Sequence, residues 1–487
     1  VTGAYLSSGG NAFSTRTASQ IVQQHFPPAP STRGLESGPL FGVQFSQLPC
    51  SDLSSRFQSA GGASAFIGPK RSPLGLAADP GGLPLYKNGV VVGAIGVMGD
   101  GDYGFDPNIL DVDNDAEEAI AFAGTQGFAA ADAIRADRIT VDGTTLRFSD
   151  ITAANIGPLS TNFAAINGSA GSLIAVRGYA NAAIIAGTPY GTEASGIRAA
   201  RAAEFANSDA FILTDGSGNP RFPIRAGTDG ASVTQPLSAA EVRAVLEEAF
   251  TILTRARAQI RRPLDSRMQA TISVVAVSLK KQGIVRSRDA PIFGTDVSLQ
   301  KARTAMFFSN PNAAANLIAA GGGVAPFVQA MRTFLNDPQA LTGNFAYGNR
   351  SVGNLARPYF PDGELGRPPG PLSRPIEDFN PFAVGLQVQL VAGNIIQHAQ
   401  FVAGASATDT AQRCTSLPDA AAGQNRLQNG IQIFPGGVPI YRGGVLVGGI
   451  GVSGDGIDQD DMVSFLGLNN GGQRVGSIGN AANDRRA

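Results

Sequence analysis

Residues 80–101, PGGLPLYKNGVVVGAIGVMGDG, return at 435–456 as PGGVPIYRGGVLVGGIGVSGDG without a gap, identical at about two thirds of the positions. A duplicated segment decides the domain plan before any single motif is read, because each copy is one supersecondary unit. The unit reads as a hairpin. One strand ends at Tyr86 or Tyr441, the pair Asn88-Gly89 or Gly443-Gly444 suits a two-residue type I′ turn, and a β-branched run returns. Gly93 and Gly96 in one copy, and Gly448 and Gly451 in the other, interrupt the returning strand. Such gaps admit a close neighbour, either the backbone of a packed helix or a flat ligand.

Weaker echoes lie upstream in the same order. Arg16-Thr17-Ala18 matches Arg303-Thr304-Ala305 within a helix, and Gly42-Val43-Gln44 matches Gly385-Leu386-Gln387 after a Gly-Pro-Leu stretch at 38–40 and 370–372. The chain therefore reads as two copies of one domain. Ahead of the second copy, Ser238 to Arg262 reads as a helix opened by the Ser238/Glu241 capping box, with Val242, Val245, Leu246, Ala249 and Leu253 on one face. A strand from Ala270 to Leu279 follows, turning near Gly283. The first copy has no counterpart of this part and is N-terminally incomplete by about fifty residues. Its sheet is expected to expose an apolar face that an upstream segment or a partner covers. The expected plan is a first repeat at 1–150, an ordered connector at 151–237, and a second repeat at 238–487 that holds an insertion at 321–374 and a C-terminal tail.

Composition narrows the function. The 487 residues are 43% hydrophobic, enough for several apolar cores. Thirty-seven basic residues against thirty-eight acidic ones leave a net charge of −1, which gives no electrostatic footprint for nucleic acid. Charged residues are only 15% of the chain beside 62 Gly and 30 Pro, a loop-rich composition that excludes coiled coils. No apolar run approaches the about 20 residues of a transmembrane helix, so no transmembrane segment is expected. Two histidines exclude a multi-histidine metal centre, and two cysteines exclude a four-thiolate one. Cys50 and Cys414 either form one long-range disulfide, which suits an extracytoplasmic protein, or remain two free thiols.

The segment PGGVPIYRGGVLVGGIGVSG at 435–454, preceded by the helix VSLQKARTAMFF at 297–308 and by the opening amphipathic helix and strand, resembles the GlcG/HbpS family of heme-binding proteins. The C-terminal domain of PduO-type cobalamin adenosyltransferases belongs to the same group. The resemblance spans residues 237–468 in one copy and 1–128 in the other, incomplete one. It implies an α+β fold in which each repeat has an antiparallel sheet of about five strands with packed helices. It also implies assembly as a homo-oligomer, or as a subunit of a larger assembly, and binding of heme or another tetrapyrrole. The expectation is a noncatalytic heme-binding protein in the periplasm or outside the cell. The alternative is a structural or accessory subunit of an extracytoplasmic assembly that uses the fold without a ligand.

For heme, the candidate axial ligands are His25 and His398, and Tyr86 and Tyr441 offer phenols. Arg16 and Arg303 correspond between the copies, and either can fork onto a propionate or form a salt bridge within the fold. Gly93, Gly96, Gly448 and Gly451 would admit the flat ring. Asp111, Asp113 and Asp115, in an acidic run that also holds Asp100, Asp102 and Asp106, suit a divalent cation such as calcium or the capping of a helix at 116–123. Gly449 to Gly454 fits G-x-G-x-x-G by letter, yet Asp455, Asp458, Asp460 and Asp461 follow and would repel phosphate. Ser453 has Met98 as its counterpart, and no catalytic constellation surrounds it.

Overall fold

The computed structural model describes residues 2–54, 67–72, 75–99, 105–158, 160–180, 184–378, 380, 384–421 and 424–487. Asp100 and Asp102 of the acidic run lie outside the described residues. Both copies of the duplicated segment are hairpins, β1 (Gly82–Lys87) with β2 (Val90–Gly96) and, later, β7 (Gly437–Arg442) with β8 (Val445–Gly454). Their registers coincide: Gly82 faces Gly96 as Gly437 faces Gly451, and both ladders shift after the same residue, Leu85 or Ile440. Asn88 and Gly89 both take positive φ, as a type I′ turn requires, whereas in the second pair Gly443 alone does.

The second hairpin belongs to a six-stranded antiparallel sheet. Between the hairpins the chain adds β3 (Ile197–Ala199), β4 (Ala210–Leu213), β5 (Ala270–Ala276) and β6 (Lys281–Ser287), and the spatial order is β7-β8-β5-β6-β4-β3. The sheet is thus one strand wider than the five expected. Residues 238–487 supply only four of the six, and the stretch at 151–237 supplies the other two, β3 and β4, with Ala210 and Phe211 of β4 pairing to Ser287 and Arg286 of β6. The predicted strand at 270–279 ends at Ala276, where the chain turns through Leu279 at positive φ.

Helices cover both faces. The seven that matter here are α1 (Thr15–Ile21), α2 (Ala116–Gly124), α3 (Ala239–Leu253), α4 (Gly294–Phe308), α5 (Asn349–Leu355), α6 (Leu386–Val402) and α7 (Ile457–Val475). Every residue of α4 is buried. It lies so close to β8 that a Cβ on Gly451 would stand 2.0 Å from the Ser298 carbonyl oxygen, and one on Gly449 2.5 Å from that of Ala302. The gaps at Gly449 and Gly451 are therefore filled by helix backbone, while Gly448 meets the Val275 carbonyl and Leu237. On the other face α3 and α7 cross through small residues, with Gly467 against Ala249 and Gly471 against Val245. The predicted helix at 238–262 stops at Leu253. Beyond it Ala258 and Met268 N–H donate to Ser266 and Ala256 carbonyls, so a return of the chain replaces further helical turns.

Long-range ties join the N-terminal half to the sheet and its helices. Cys50 and Cys414 are disulfide-bonded across 364 residues, which resolves the alternative left open by the sequence. Beside the bond, Asp52 pairs with Arg303 of α4 at 3.0 Å, and the Ser51 hydroxyl donates to Asp296 at 2.6 Å. No helix among the described residues is long and apolar enough to cross a membrane.

The capping box of α3 also clamps the second hairpin. Glu241 accepts from the Ser238 N–H at 2.8 Å and from Arg442 of β7 through both oxygens, at 2.7 and 3.0 Å, with Ser477 as a further donor. Burial pushes this carboxyl up, but the Arg442, Ser477 and Ser238 hydrogen bonds outweigh it and hold the group down at about 2, below its ordinary 4.5. A depressed carboxylate stabilises the fold above its unfolded value and loses that contribution as the pH falls through the folded one. Glu241→Gln should therefore unfold about 1 kcal/mol more easily than the parent above pH 4.5. The gap should close between pH 4.5 and about 2, as read from urea midpoints across the acid range. A gap independent of pH would contradict the clamp.

Candidate ligand cleft and the buried charge clusters

An open cleft of about 560 Å³ lies where β7, α5, α7 and the stretch at 480–487 meet. Its apolar wall is Val438, Pro439, Met462 and Phe465. Pro439 and Val438 are placed there by the strand that opens the second hairpin, and Met462 and Phe465 by the outward face of α7. Two guanidiniums border it. Arg350 of α5 is held by Asp461 at 2.8 Å and Asp458 at 2.6 Å, while Arg486 lies 5.1 Å over the Phe465 ring and donates to the Ala481 carbonyl at 2.9 Å. Met462 is 40% exposed and lines the cleft. Two residues earlier, Asp460 turns inward to a fully buried ion pair with Lys301 at 2.8 Å. Burial pushes its carboxyl up to about 6 against the pull of Lys301, and burial lowers Lys301 in turn. The helix thus alternates a structural charge with cleft-facing side chains.

None of the heme residues read from the sequence lines this cleft. Arg16 is 1% exposed and surrounded by carboxylates: Glu118 at 3.1 Å, Asp113 at 2.6 Å, Asp150 at 3.3 Å and Asp106 at 3.5 Å. Arg303 is closed in by Asp52, Asn429 and the Leu279 carbonyl. Both arginines therefore serve as buried salt bridges, and neither fork is open to a propionate. The cation reading of Asp111, Asp113 and Asp115 is likewise corrected. Asp113 is spent on Arg16, Asp115 caps α2 by accepting from the Glu118 N–H at 2.6 Å, and Asp111 lies apart near Asn108. Among the described residues no group of three such side chains is placed to hold a metal.

His398, on α6, is fully buried, with Nδ1 2.8 Å from Asp409 and Nε2 2.9 Å from the Tyr179 hydroxyl. Both ring nitrogens are thus engaged, which corrects its reading as an axial ligand. Arg71 completes the cluster, 2.8 Å from Asp409 and 4.9 Å over the Tyr179 ring. His25 follows α1 in a bend and is 8% exposed; burial lowers its pKa. Tyr86 donates to the Ser8 and Asn11 carbonyls at 2.8 Å, and Tyr441 is buried 5.1 Å beneath Arg485. Gly448 and Gly451 meet protein backbone, while Gly93 and Gly96 have nothing within 4 Å among the described residues.

The sequence reading missed Arg350, Met462, Phe465 and Arg486, whose convergence comes from three separate segments. Asp458 and Asp461, read from the sequence as acids that would repel a phosphate, and the hairpin holding Val438 and Pro439 were the signals near the cleft.

Removing Arg16 leaves buried carboxylates without their cation, so Arg16→Met should cost about 3–5 kcal/mol in denaturant unfolding. Unchanged stability with loss of a bound ligand would instead make Arg16 a ligand residue.

No curated protein matches the chain. Two solved structures are similar over about half of it: the PduOC:heme complex, at 14% identity, covers 47% of this chain and 88% of its own, with a TM-score of 0.19. The Klebsiella pneumoniae protein ORFY, of family DUF336, is 15% identical and covers 52% of this chain and 95% of its own, with a TM-score of 0.22. These scores are too low for either likeness to bear on the fold or the site. A family model described as haem degrading protein HbpS-like matches residues 387–469. The region that builds α6, the second hairpin and the Met462/Phe465 wall of the cleft is therefore HbpS-like.

Proposed function

We propose that the chain binds heme or a related tetrapyrrole in the cleft between β7, α5 and α7, and is noncatalytic. The observation that carries this reading is the cleft itself, whose apolar wall, with Asp458 and Asp461, comes from the HbpS-like region, while Arg350 and Arg486 come from outside it. Its size lies within the range of small-molecule sites, and its lining is apolar with a few oriented charges. The residues present suit a flat dicarboxylate. Val438, Pro439, Met462 and Phe465 would take the ring face, and Arg486, which makes no ion pair among the described residues, would take a carboxylate. Met462 supplies a thioether, a known donor to heme iron. Arg350 is already paired, so its part is to keep Asp458 and Asp461 from repelling the propionates.

Three further readings belong to this proposal. The first is that residues 1–150 and 238–487 are two copies of one domain, with 151–237 connecting them. It is supported by the shared hairpin register and by Arg16 and Arg303, which both carry buried carboxylate pairs. The second is an exported, periplasmic or extracellular location, which the disulfide favours. The third is assembly into an oligomer.

Hemin titration tests the ligand. The expected result is a Soret band that saturates near about one heme per chain, with affinity lowered about tenfold by Arg486→Ala and the band shifted by Met462→Ala. His25→Gln and His398→Gln should leave the band position unchanged. No band, or a band that shifts in a histidine variant and not in Met462→Ala, would contradict this site.

A further inference from the structure

The two hairpins differ on one edge. In the second, β8 pairs with β5 from Gly448 opposite Ala276 to Gly454 opposite Ala270. A Cβ on Gly448 would stand 2.4 Å from the Val275 carbonyl oxygen and 2.7 Å from Leu237. In the first, β2 pairs with β1 alone among the described residues. Gly93, which corresponds to Gly448, meets nothing within 4 Å, and Val90 and Val92 are 41% and 57% exposed. An open strand edge of β-branched residues is a template for another strand.

Charge marks the same place. Arg442 of the second hairpin is clamped by the capping glutamate of α3. Lys87 corresponds to Arg442, is exposed, and makes no ion pair among the described residues. A hollow of about 430 Å³ lies beside it, lined by Tyr86, Phe128 and Ile134.

We propose that this edge docks a segment of a partner polypeptide built as residues 238–287 are built. Such a segment opens with a helix whose capping box carries a glutamate, followed by two antiparallel β-branched strands. Its first strand adds to β2 in the register that β5 takes on β8, which places the residue equivalent to Ala276 opposite Gly93. Its capping carboxylate pairs with Lys87 above the hollow. The proposal rests on the duplication put forward above and is independent of the tetrapyrrole, so a failed hemin titration leaves it standing.

The test adds a separately produced, fluorophore-labelled segment of residues 238–287 to the full chain and reads anisotropy together with amide exchange in β2. The expected result is saturable binding that slows exchange across residues 90–96. Gly93→Val should keep the melting temperature of the parent, because a Cβ there meets none of the described residues within 4 Å, yet weaken binding about tenfold or more. Lys87→Glu should weaken it as well, by like-charge repulsion with the capping carboxylate. Three outcomes would overturn the proposal: no binding, binding that survives Gly93→Val because the segment exchanges into the six-stranded sheet, or closure of the edge by self-association of the chain alone.

Discussion

The approach of α4 to β8 is the contact on which the rest of the structure depends. With the Ser298 carbonyl 2.0 Å from where a Cβ of Gly451 would stand, any side chain there would push the helix off the sheet. The close packing buries all of α4, including its charged residues. Lys301 must then find Asp460 on α7, and Arg303 must find Asp52 on the loop beside Cys50. Burying such ions costs several kcal/mol each unless they are paired and hydrogen-bonded, so each cation selects one partner element and fixes it in place. The cleft follows from the same chain of constraints. α7, anchored through Asp460, presents Met462 and Phe465 on its other side.

The same logic explains why the conspicuous residues are structural. Arg16 and Arg303 each open an Arg-Thr-Ala triplet, and both are consumed by carboxylates brought from elsewhere. His398 is likewise held inside a cluster with Asp409, Tyr179 and Arg71, which binds the stretch near residue 179 to the end of α6. The ligand chemistry proposed here falls instead on residues that are partly exposed and only loosely committed, namely Arg486 and Met462.

What the sequence made legible was local. The two hairpins could be read because turn pairs and β-branched runs sit within a few residues of each other, and α3 because Ser238 and Glu241 are three apart. The sixth strand could not be read, since β3 and β4 are three and four residues long and lie in a stretch rich in Gly, Ala and Thr. A lone buried histidine looked like a ligand because its partners Tyr179 and Asp409 are 219 and 11 residues away. The cleft was invisible for the same reason, being assembled from segments near 350, 438, 462 and 486. The Cys50 and Cys414 pairing was posed by the sequence and decided only in three dimensions.

The central claim is that one hairpin sequence stands in two environments: its returning strand is paired to β5 at 448–454, and among the described residues has no second partner strand at 90–96. Residue-resolved amide hydrogen exchange on the chain alone measures this directly. The account predicts slow exchange for every amide of residues 447–453, and fast exchange for alternate amides of residues 90–96, those that face away from β1. Equal protection of the two returning strands would contradict it.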